Sequence, residues 1–185
     1  MKTDILIIGG GLAGLVLAEQ LQIAGRDFML VESRYRFGGR IKTEVLDGGH
    51  HDMGPAWFWQ GQPRMAKLIK RLDLSVFEQY DKGSFAFEDE TGQVQYGRGF
   101  GSMQGAYRLK GGLHGLTDVL ARVLPKTRKR LGAKVTALEK TQEGVLATLY
   151  NGKTIDAQKI VLALPPRVAE EQINFIPALS NKTTQ

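Results

Sequence analysis

The first thirty residues arrange apolar and polar positions as strand, helix and strand. Unbroken apolar runs at residues 5–8 and 28–31 are typical of parallel strands buried on both faces. Between them, residues 12–24 are rich in Ala, Leu and Gln, contain no proline and end at Gly25, which predicts a helix closed by a glycine. The pattern therefore predicts the opening unit of an α/β fold.

The rest of the chain continues with shorter elements. Apolar residues at helical spacing predict a helix at residues 63–72, and a second helix follows the glycine pair at residues 111–112 and extends to residue 124. A small hairpin is predicted at residues 85–96, and Asn151-Gly152 is a hairpin turn signal. Further strands are predicted at residues 41–46, 133–138, 145–150, 154–156 and 160–164.

The turn after the first strand has the spacing G-x-G-x-x-G. Gly9 allows the tight turn, Gly11 lets the backbone approach a pyrophosphate, and Gly14 lets the helix pack on the strand. Leu12 and Ala13 open the helix, where free N–H groups and the helix dipole favour an anion. We therefore predict a dinucleotide site here, in preference to a glycine turn without a ligand.

An acidic residue follows at the distance that such a site requires. Glu32 ends the second strand, 18 residues after Gly14. A carboxylate in this position accepts hydrogen bonds from an adenosine ribose and repels the 2′-phosphate of NADP. FAD or NAD is therefore favoured over NADP.

A basic loop with paired glycines follows Glu32. Gly38 and Gly39 permit close backbone approach, and Arg40, like Arg34, brings a guanidinium suited to phosphate oxygens. If this loop folds back beside the first turn, it clamps the same pyrophosphate from the other side. The alternative is a surface turn with solvated arginines.

Together these motifs resemble a known family. Residues 32–34, then 38–40 with Thr43 close behind, joined to the turn at residues 9–14, are similar to the N-terminal region of the flavin-containing amine oxidases. This family includes monoamine oxidases, polyamine oxidases and L-amino-acid oxidases. The resemblance implies FAD as the cofactor and an amine or amino acid as the small-molecule substrate.

The resemblance continues to about Ile176. Residues 52–57 are similar to the family's acidic-x-Gly-x-x-Trp stretch, which implies that Gly54 lets backbone pass beside the flavin ring. Val135 matches the residue whose backbone meets the adenine, and Leu164-Pro165 matches the end of a strand near the flavin. No residue matches an acid, base or nucleophile for the reaction, so the catalytic residues stay unknown.

The implied fold class is α/β: a Rossmann-like FAD-binding domain, with a parallel sheet and a β-meander, that carries part of an inserted substrate domain. We expect residues 1–54 and 109–176 to form the FAD-binding domain, residues 55–108 the partial insertion, and residues 177–185 a frayed tail. Family members are much longer. The sequence is thus either an N-terminal piece of a longer oxidase or a short relative completed by another chain.

Composition adds mainly exclusions. The chain has 185 residues, 42% hydrophobic and 24% charged, as in ordinary globular proteins, and it has no cysteine, which excludes disulfides, thiolate metal sites and a cysteinyl flavin. The N-terminus does not read as a secretory signal and no apolar run approaches membrane-spanning length, so a cytoplasmic location without membrane attachment is the default expectation.

The net charge of +6 does not indicate nucleic-acid binding. Only residues 126–130 are densely basic, and no aromatic residue interleaves with them, so we expect a solvated connection. His50 and His51 point to opposite faces of a strand and do not form a metal site. His114 is expected to cap a helix or face solvent, and Asp52 either contacts the flavin region or forms a turn.

Two other functions remain open from the sequence. A non-catalytic FAD- or ADP-binding module that needs a partner chain would explain the short length. An NAD-dependent dehydrogenase uses the same first fingerprint but leaves the loop at residues 38–40 unexplained. The aromatic run at residues 57–59 either faces the flavin pocket or, as favoured, packs in the core.

Overall fold

A computed structural model describes residues 1–98 and 103–179. The predicted frayed tail falls mostly on residues 180–185, outside the described residues. The helices in the described part are α1 (Leu12–Ile23), α2 (Pro63–Arg71), α3 (His114–Val123) and α4 (Pro166–Gln172), with a 3₁₀ turn at Lys126–Arg128. The strands are β1 (Lys2–Ile8), β2 (Phe28–Val31), β3 (Thr43–Leu46), β4 (Gly49–Asp52), β5 (Phe58–Trp59), β6 (Val76–Glu78), β7 (Ser84–Glu88), β8 (Val94–Arg98), β9 (Ala106–Leu109), β10 (Lys129–Arg130), β11 (Val135–Lys140), β12 (Val145–Leu149), β13 (Thr154–Leu162) and β14 (Asn174–Ile176).

The largest sheet has seven strands in the order β10-β2-β1-β13-β12-β11-β14. β10, β2, β1 and β13 are mutually parallel neighbours, whereas β13, β12 and β11 are antiparallel neighbours joined in a meander. β14 closes the far edge parallel to β11. The expected α/β class with a parallel sheet is confirmed.

The central strands are buried on both faces because their apolar runs are continuous. In β1, Leu6 and Ile8 pack on the side of the meander, while Ile7 packs against α1 and α3. β2 repeats this arrangement, with Phe28 and Leu30 fully buried on the α1 side. Alternation along each strand thus divides the core between the two faces of one sheet.

Helix α1 ends as its sequence predicts. Gly25 adopts φ +64 and donates its N–H to the Gln22 carbonyl (N···O 3.2 Å), and Arg26 donates to the Leu21 carbonyl (2.9 Å). These two bonds form a Schellman motif, which satisfies carbonyls that the helix leaves unpaired. The chain then enters β2 after only a few residues.

One expectation for the last third is wrong: β13 runs without a break from residue 154 to 162, where separate strands are expected at residues 154–156 and 160–164. Residues 154–157 pair with β12 and residues 156–162 pair with β1, so backbone pairing spans the expected break. Gln158 and Lys159, between the two expected strands, are exposed positions on a paired backbone. Backbone pairing on both sides overrides a local polar interruption.

The basic run at residues 126–130 is also not a solvated connection. It forms the 3₁₀ turn and then β10, an edge strand of the main sheet. Arg128 forms an ion pair with Asp27 and lies 5.8 Å over the Phe28 ring. The Lys129 ammonium donates to the Ala121 carbonyl, and burial lowers the pKa of Lys129. These cations therefore hold the sheet edge to α3 and β2.

The segment between β2 and α3 builds smaller sheets. β5, β9 and β6 form a three-stranded antiparallel sheet, and two hairpins pair β3 with β4 and β7 with β8. The predicted hairpin is confirmed, as is the Asn151-Gly152 turn, where Gly152 has φ +79. A separate apolar cluster joins α2 to this region; it includes Ile41, Phe58, Ile69, Leu109, Leu113 and Leu116. No helix in the described residues is long and apolar enough to cross a membrane.

Candidate cofactor site

The turn between β1 and α1 is compact because two of its glycines touch backbone. Gly9 has φ +114, and a Cβ built there would lie 2.5 Å from the Ala163 carbonyl oxygen at the end of β13. A Cβ on Gly14 would collide with the Gly9 carbonyl. Gly14 thus brings α1 onto the strand end, as its place in the motif predicts.

The second glycine loop folds back onto the first. Gly38 donates its N–H to the Gly10 carbonyl (N···O 2.8 Å) and forms a parallel bridge with Gly11. Gly39 has φ +60, and a Cβ there would lie 3.2 Å from the Cα of Gly11. Two successive left-handed glycines at positions 38 and 39 make this return possible.

Gly11 differs from the glycines around it because it faces open space. A Cβ built on Gly11 meets nothing closer than the Gly39 Cα at 4.0 Å. Gly11 precedes α1 and has no side chain to cap it, and the first turn of the helix contains no acidic residue. The Ala13 N–H donates to no backbone carbonyl in the part of the chain that the structure describes. This arrangement suits an anion.

Glu32 lies buried behind the first loop, with 7% of its surface exposed. One carboxylate oxygen accepts the Gly10 N–H (2.7 Å), and the other accepts the Arg34 N–H (2.9 Å) and the Ser33 hydroxyl (3.2 Å). The carboxylate therefore fixes the glycine turn and the start of the basic loop together. This second role was not evident from the spacing of the motif.

The arginines of the basic loop divide into two kinds. Arg34 and Arg40 are exposed, and Arg34 donates to the Gly39 carbonyl (3.2 Å). Arg36, which the sequence analysis missed, donates to the carbonyls of Phe37, Gly39 and Ile41 at 2.8–3.2 Å and so holds the loop closed. No motif marks Arg36, since its partners are backbone oxygens.

The two loops open onto a cavity of about 1900 Å³. Most of the predicted site residues line it, namely Gly9, Gly11, Leu12, Ala13, Glu32, Arg34, Gly38, Gly39, Arg40 and Val135. Gly14 and Gly54 do not. A Cβ on Gly54 would collide with the Arg40 carbonyl, so Gly54 packs on the basic loop from behind.

Asp52 forms a buried junction beside this cavity. Its side chain is 1% exposed and accepts the Thr43 hydroxyl (2.5 Å), the Leu113 N–H (2.9 Å) and, more distantly, Arg108 (3.4 Å). The Thr43 hydroxyl in turn accepts the His114 N–H (3.1 Å). Asp52 therefore neither forms a turn nor needs a flavin contact: with Thr43 it caps α3 from a distant hairpin.

The remaining candidate residues lie outside the two glycine loops, although Trp57 and Phe58 line the cavity. His50 and His51 are exposed on β4, and the described residues contain no group of three or more potential metal ligands. His114 pairs with Asp118 at 2.8 Å on one turn of α3. In the aromatic run, only Phe58 is buried and stacks on Tyr107, with ring centroids 5.9 Å apart, whereas Trp57 and Trp59 are more than 40% exposed. Core packing was thus correctly expected for one residue of the three.

Comparisons with known proteins agree with this geometry. The family model of flavin-containing amine oxidoreductases matches residues 12–99 and 87–185. A probable flavin-containing monoamine oxidase A of Dictyostelium discoideum is 32% identical over 108 residues, or 58% of this chain and 24% of the relative. Putrescine oxidase of Kocuria rosea is 31% identical over 87 residues, or 47% of this chain and 18% of the relative.

Solved structures show the same fold. Cyclohexylamine oxidase from Brevibacterium oxydans superposes with a TM-score of 0.88 at 18% identity, covering 100% of this chain and 62% of that one. A putrescine oxidase structure with putrescine bound gives 0.86 at 18% identity, covering 100% and 63%. The chain thus spans under a quarter of these curated relatives' length and less than two thirds of these solved chains.

These matches favour neither the non-catalytic module nor the NAD-dependent dehydrogenase, and they confirm FAD as the cofactor expected from the sequence. By the extent of the family match, this chain belongs to the flavin-containing amine oxidoreductases.

Proposed function

We propose that the chain forms the FAD-binding part of an enzyme that oxidises an amine or amino acid by hydride transfer to the flavin. One observation carries the proposal. The two glycine loops, residues 9–14 and 38–40, touch at the N-terminus of α1 and open onto one large cavity. A diphosphate needs both bare backbone and positive charge, and this junction offers both.

The residues present fit FAD. The space in front of Gly11 is free of protein atoms up to 4.0 Å from a built Cβ, so a phosphate has room beside the backbone. The first-turn N–H groups of α1 would donate to its oxygens, and Arg34 and Arg40 would offset its charge. The cavity, about 1900 Å³, is large enough for a dinucleotide.

The adenosine end belongs beside β2 and β11 in this proposal. Glu32 lines the cavity and keeps acceptor capacity after its internal hydrogen bonds, since each carboxylate oxygen has more than one lone pair. Its ribose contact would exclude a 2′-phosphate. Val135, 4% exposed, would present its backbone to the adenine.

The flavin end belongs toward β13 and the segment after β4. Leu164, Pro165, Pro55 and Trp57 line the cavity there, and Gly54 packs this segment on the Arg40 carbonyl. When bound, the flavin supplies the chemistry by accepting a hydride from the amine-bearing carbon. The protein residues named here orient it and exclude water. We assign no catalytic side chain.

The domain division is part of the proposal. Residues 1–54 and 109–176 would form a Rossmann-like FAD-binding domain, since they supply all seven strands of the main sheet. Residues 55–108 would form part of an inserted substrate domain, built around β5, β9 and β6.

An absorption spectrum of freshly purified protein tests this proposal. We expect flavin bands near those of free FAD, and denaturation should release a nucleotide with the mass of FAD. A colourless protein that gains no flavin signal on incubation with FAD would contradict it. Release of NAD instead would indicate a nicotinamide enzyme.

A further inference from the structure

The charge of the cavity wall bears on which amines can enter. Within the described residues, the charged side chains that line the cavity are six cations and one acid; they are Arg34, Arg40, Arg64, Lys67, Arg71, Lys134 and Glu32. The acid already accepts two backbone N–H groups. The cavity is therefore strongly positive, which raises the local concentration of anions and lowers that of cations.

Part of this charge is accounted for by the cofactor or by other residues. Arg34 and Arg40 lie on the basic loop, where the proposed diphosphate brings two negative charges. Arg71 forms an ion pair with Glu19 of α1, a carboxylate only 9% exposed, and Lys134 adjoins Val135 at the proposed adenine end. Besides Lys134, which forms no salt bridge within the described residues, the surplus lies on α2.

Arg64 and Lys67 share one face of α2 with Arg71, because positions i, i+3 and i+7 align along a helix. Both are exposed, and neither forms a salt bridge or side-chain hydrogen bond within residues 1–98 and 103–179. Met65 and Leu68 on the adjacent apolar face of α2 and Leu12 at the start of α1 pack against the same buried apolar cluster. Two unpaired cations, Arg64 and Lys67, thus border the cavity close to α1.

Much of the uncharged lining of the same cavity is aromatic or apolar, beside four polar residues, Gln20, Ser33, Gln62 and Gln172. Trp57 and Phe58 line it, together with Met65 and Leu68. No carboxylate other than that of Glu32 lines it in the described chain, so a second ammonium group finds no counter-ion. A diamine would be repelled by α2, while an apolar amine with a carboxylate would be attracted.

We infer that Arg64 and Lys67 make this enzyme select a carboxylate-bearing amine, such as an amino acid, over a di- or polyamine. The inference rests on the proposed function and narrows its substrate class. Because the proposed selection depends on charge alone, two ligands of similar shape and opposite charge test it.

Benzoate and benzylamine are such a pair, because they share a ring and carry opposite charge. We expect calorimetric titration of the FAD-loaded chain under anaerobic conditions to give about tenfold tighter binding of benzoate at low salt. Raising the salt to 0.5 M should remove most of this difference. Equal or tighter binding of benzylamine at low salt would overturn the inference.

Variants assign the effect to α2. The double variant R64Q/K67Q should weaken benzoate binding about fivefold. K70Q is the control: Lys70 is an exposed cation of the same helix that does not line the cavity, and its loss should change binding less than twofold. If K70Q matched the double variant, or if R64Q/K67Q weakened FAD binding and left benzoate unchanged, the assignment would be wrong.

The titrations need no flavin signal, so they are repeated without FAD. Failure to bind FAD contradicts the proposed function. A preference for benzoate that persists without FAD and is lost in R64Q/K67Q still supports the role of α2. If the wild type shows no preference for benzoate either with or without FAD, this inference alone is contradicted.

Discussion

The contact between the glycine loops at residues 9–14 and 38–40, here called the glycine-loop junction, differs from the β7–β8 hairpin in how many contacts fix its residues. At the junction, the backbone of each loop contacts the other, and Glu32 ties both to β2. In the hairpin, Phe87 and Tyr96 are 57% and 79% exposed, and in the part of the chain that the structure describes the two strands pair only with each other. One region is fixed by the main sheet, whereas the side chains of the other are largely exposed.

The difference shows where the sequence specifies structure most strongly. The junction stands at the carboxyl ends of β1, β2 and β13, where buried strands deliver their loops to one place. The hairpin has a turn, a register and aromatic side chains but no apolar layer to bury them against in the described residues. Local signals suffice to form a hairpin, but they do not anchor it.

Substitution of one buried and one exposed phenylalanine is the strongest test of this contrast. Phe28 is fully buried in β2, so Phe28→Ala should lower the free energy of unfolding by about 3–5 kcal/mol. Phe87→Ala in the hairpin should change it by less than about 0.5 kcal/mol. Urea denaturation followed by circular dichroism measures both. Similar losses would show that the hairpin is packed after all.

Substitution of a glycine at the junction has a smaller expected effect. Gly14→Ala forces a Cβ into the Gly9 carbonyl and should cost about 2 kcal/mol, net of the gain in helix propensity. Gly61 is the control, because a Cβ there meets nothing within 4 Å. Gly61→Ala should leave the thermal midpoint nearly unchanged, and a loss equal to that of Gly14→Ala would remove the packing argument.

Glu32→Gln tests the tie between the two loops. The amide offers only one acceptor oxygen to backbone donors now 2.7 and 2.9 Å from two oxygens, so one N–H loses its partner at a cost of about 1–2 kcal/mol. FAD binding should weaken as well. Glu143→Gln, at a side chain 83% exposed, serves as the control and should be neutral in both measurements. Unchanged FAD affinity in Glu32→Gln would remove the ribose contact from the proposal.

The smallest expected effect is a pH dependence at Asp27. The Asp4 N–H, the Thr3 hydroxyl and Arg128 together lower the pKa of Asp27 below 3.8. A carboxyl whose pKa is lower in the folded state stabilises the fold above its unfolded pKa and loses that contribution as the pH falls. Asp27→Asn should therefore destabilise the protein at pH 7 by no more than about 1 kcal/mol, since the side chain is 38% exposed. The difference from the wild type should shrink below pH 3.8, and a difference that grew on acidification would contradict this account.

Much of the glycine-loop junction could be predicted from the sequence, because each of its parts has a local sequence pattern. The apolar runs and the glycine spacing predicted β1, α1 and β2, and the paired glycines at residues 38–39 indicated the contact between the two loops. What failed depended on partners distant in sequence. Residues 126–130 pair with β2 and Asp27, about a hundred positions away, and no local pattern announces this.

The N-terminus of α3 likewise depends on residues distant in sequence. No N-cap signal stands at Leu113 or His114, because Asp52 and Thr43 of the β3–β4 hairpin accept their N–H groups. Arg36 was overlooked because it binds backbone carbonyls, which any sequence provides. Side chains that act on remote backbone leave no periodic or motif signature.

The affinity for FAD of the wild type and of Gly11→Ala tests the central claim most directly. The new methyl group meets no protein atom closer than 4.0 Å, so the variant should keep its stability within about 0.5 kcal/mol while binding FAD about tenfold or more weakly, because the methyl occupies the space of the diphosphate. A folded Gly11→Ala protein that binds FAD as tightly as the wild type would show that the diphosphate does not lie between the two glycine loops.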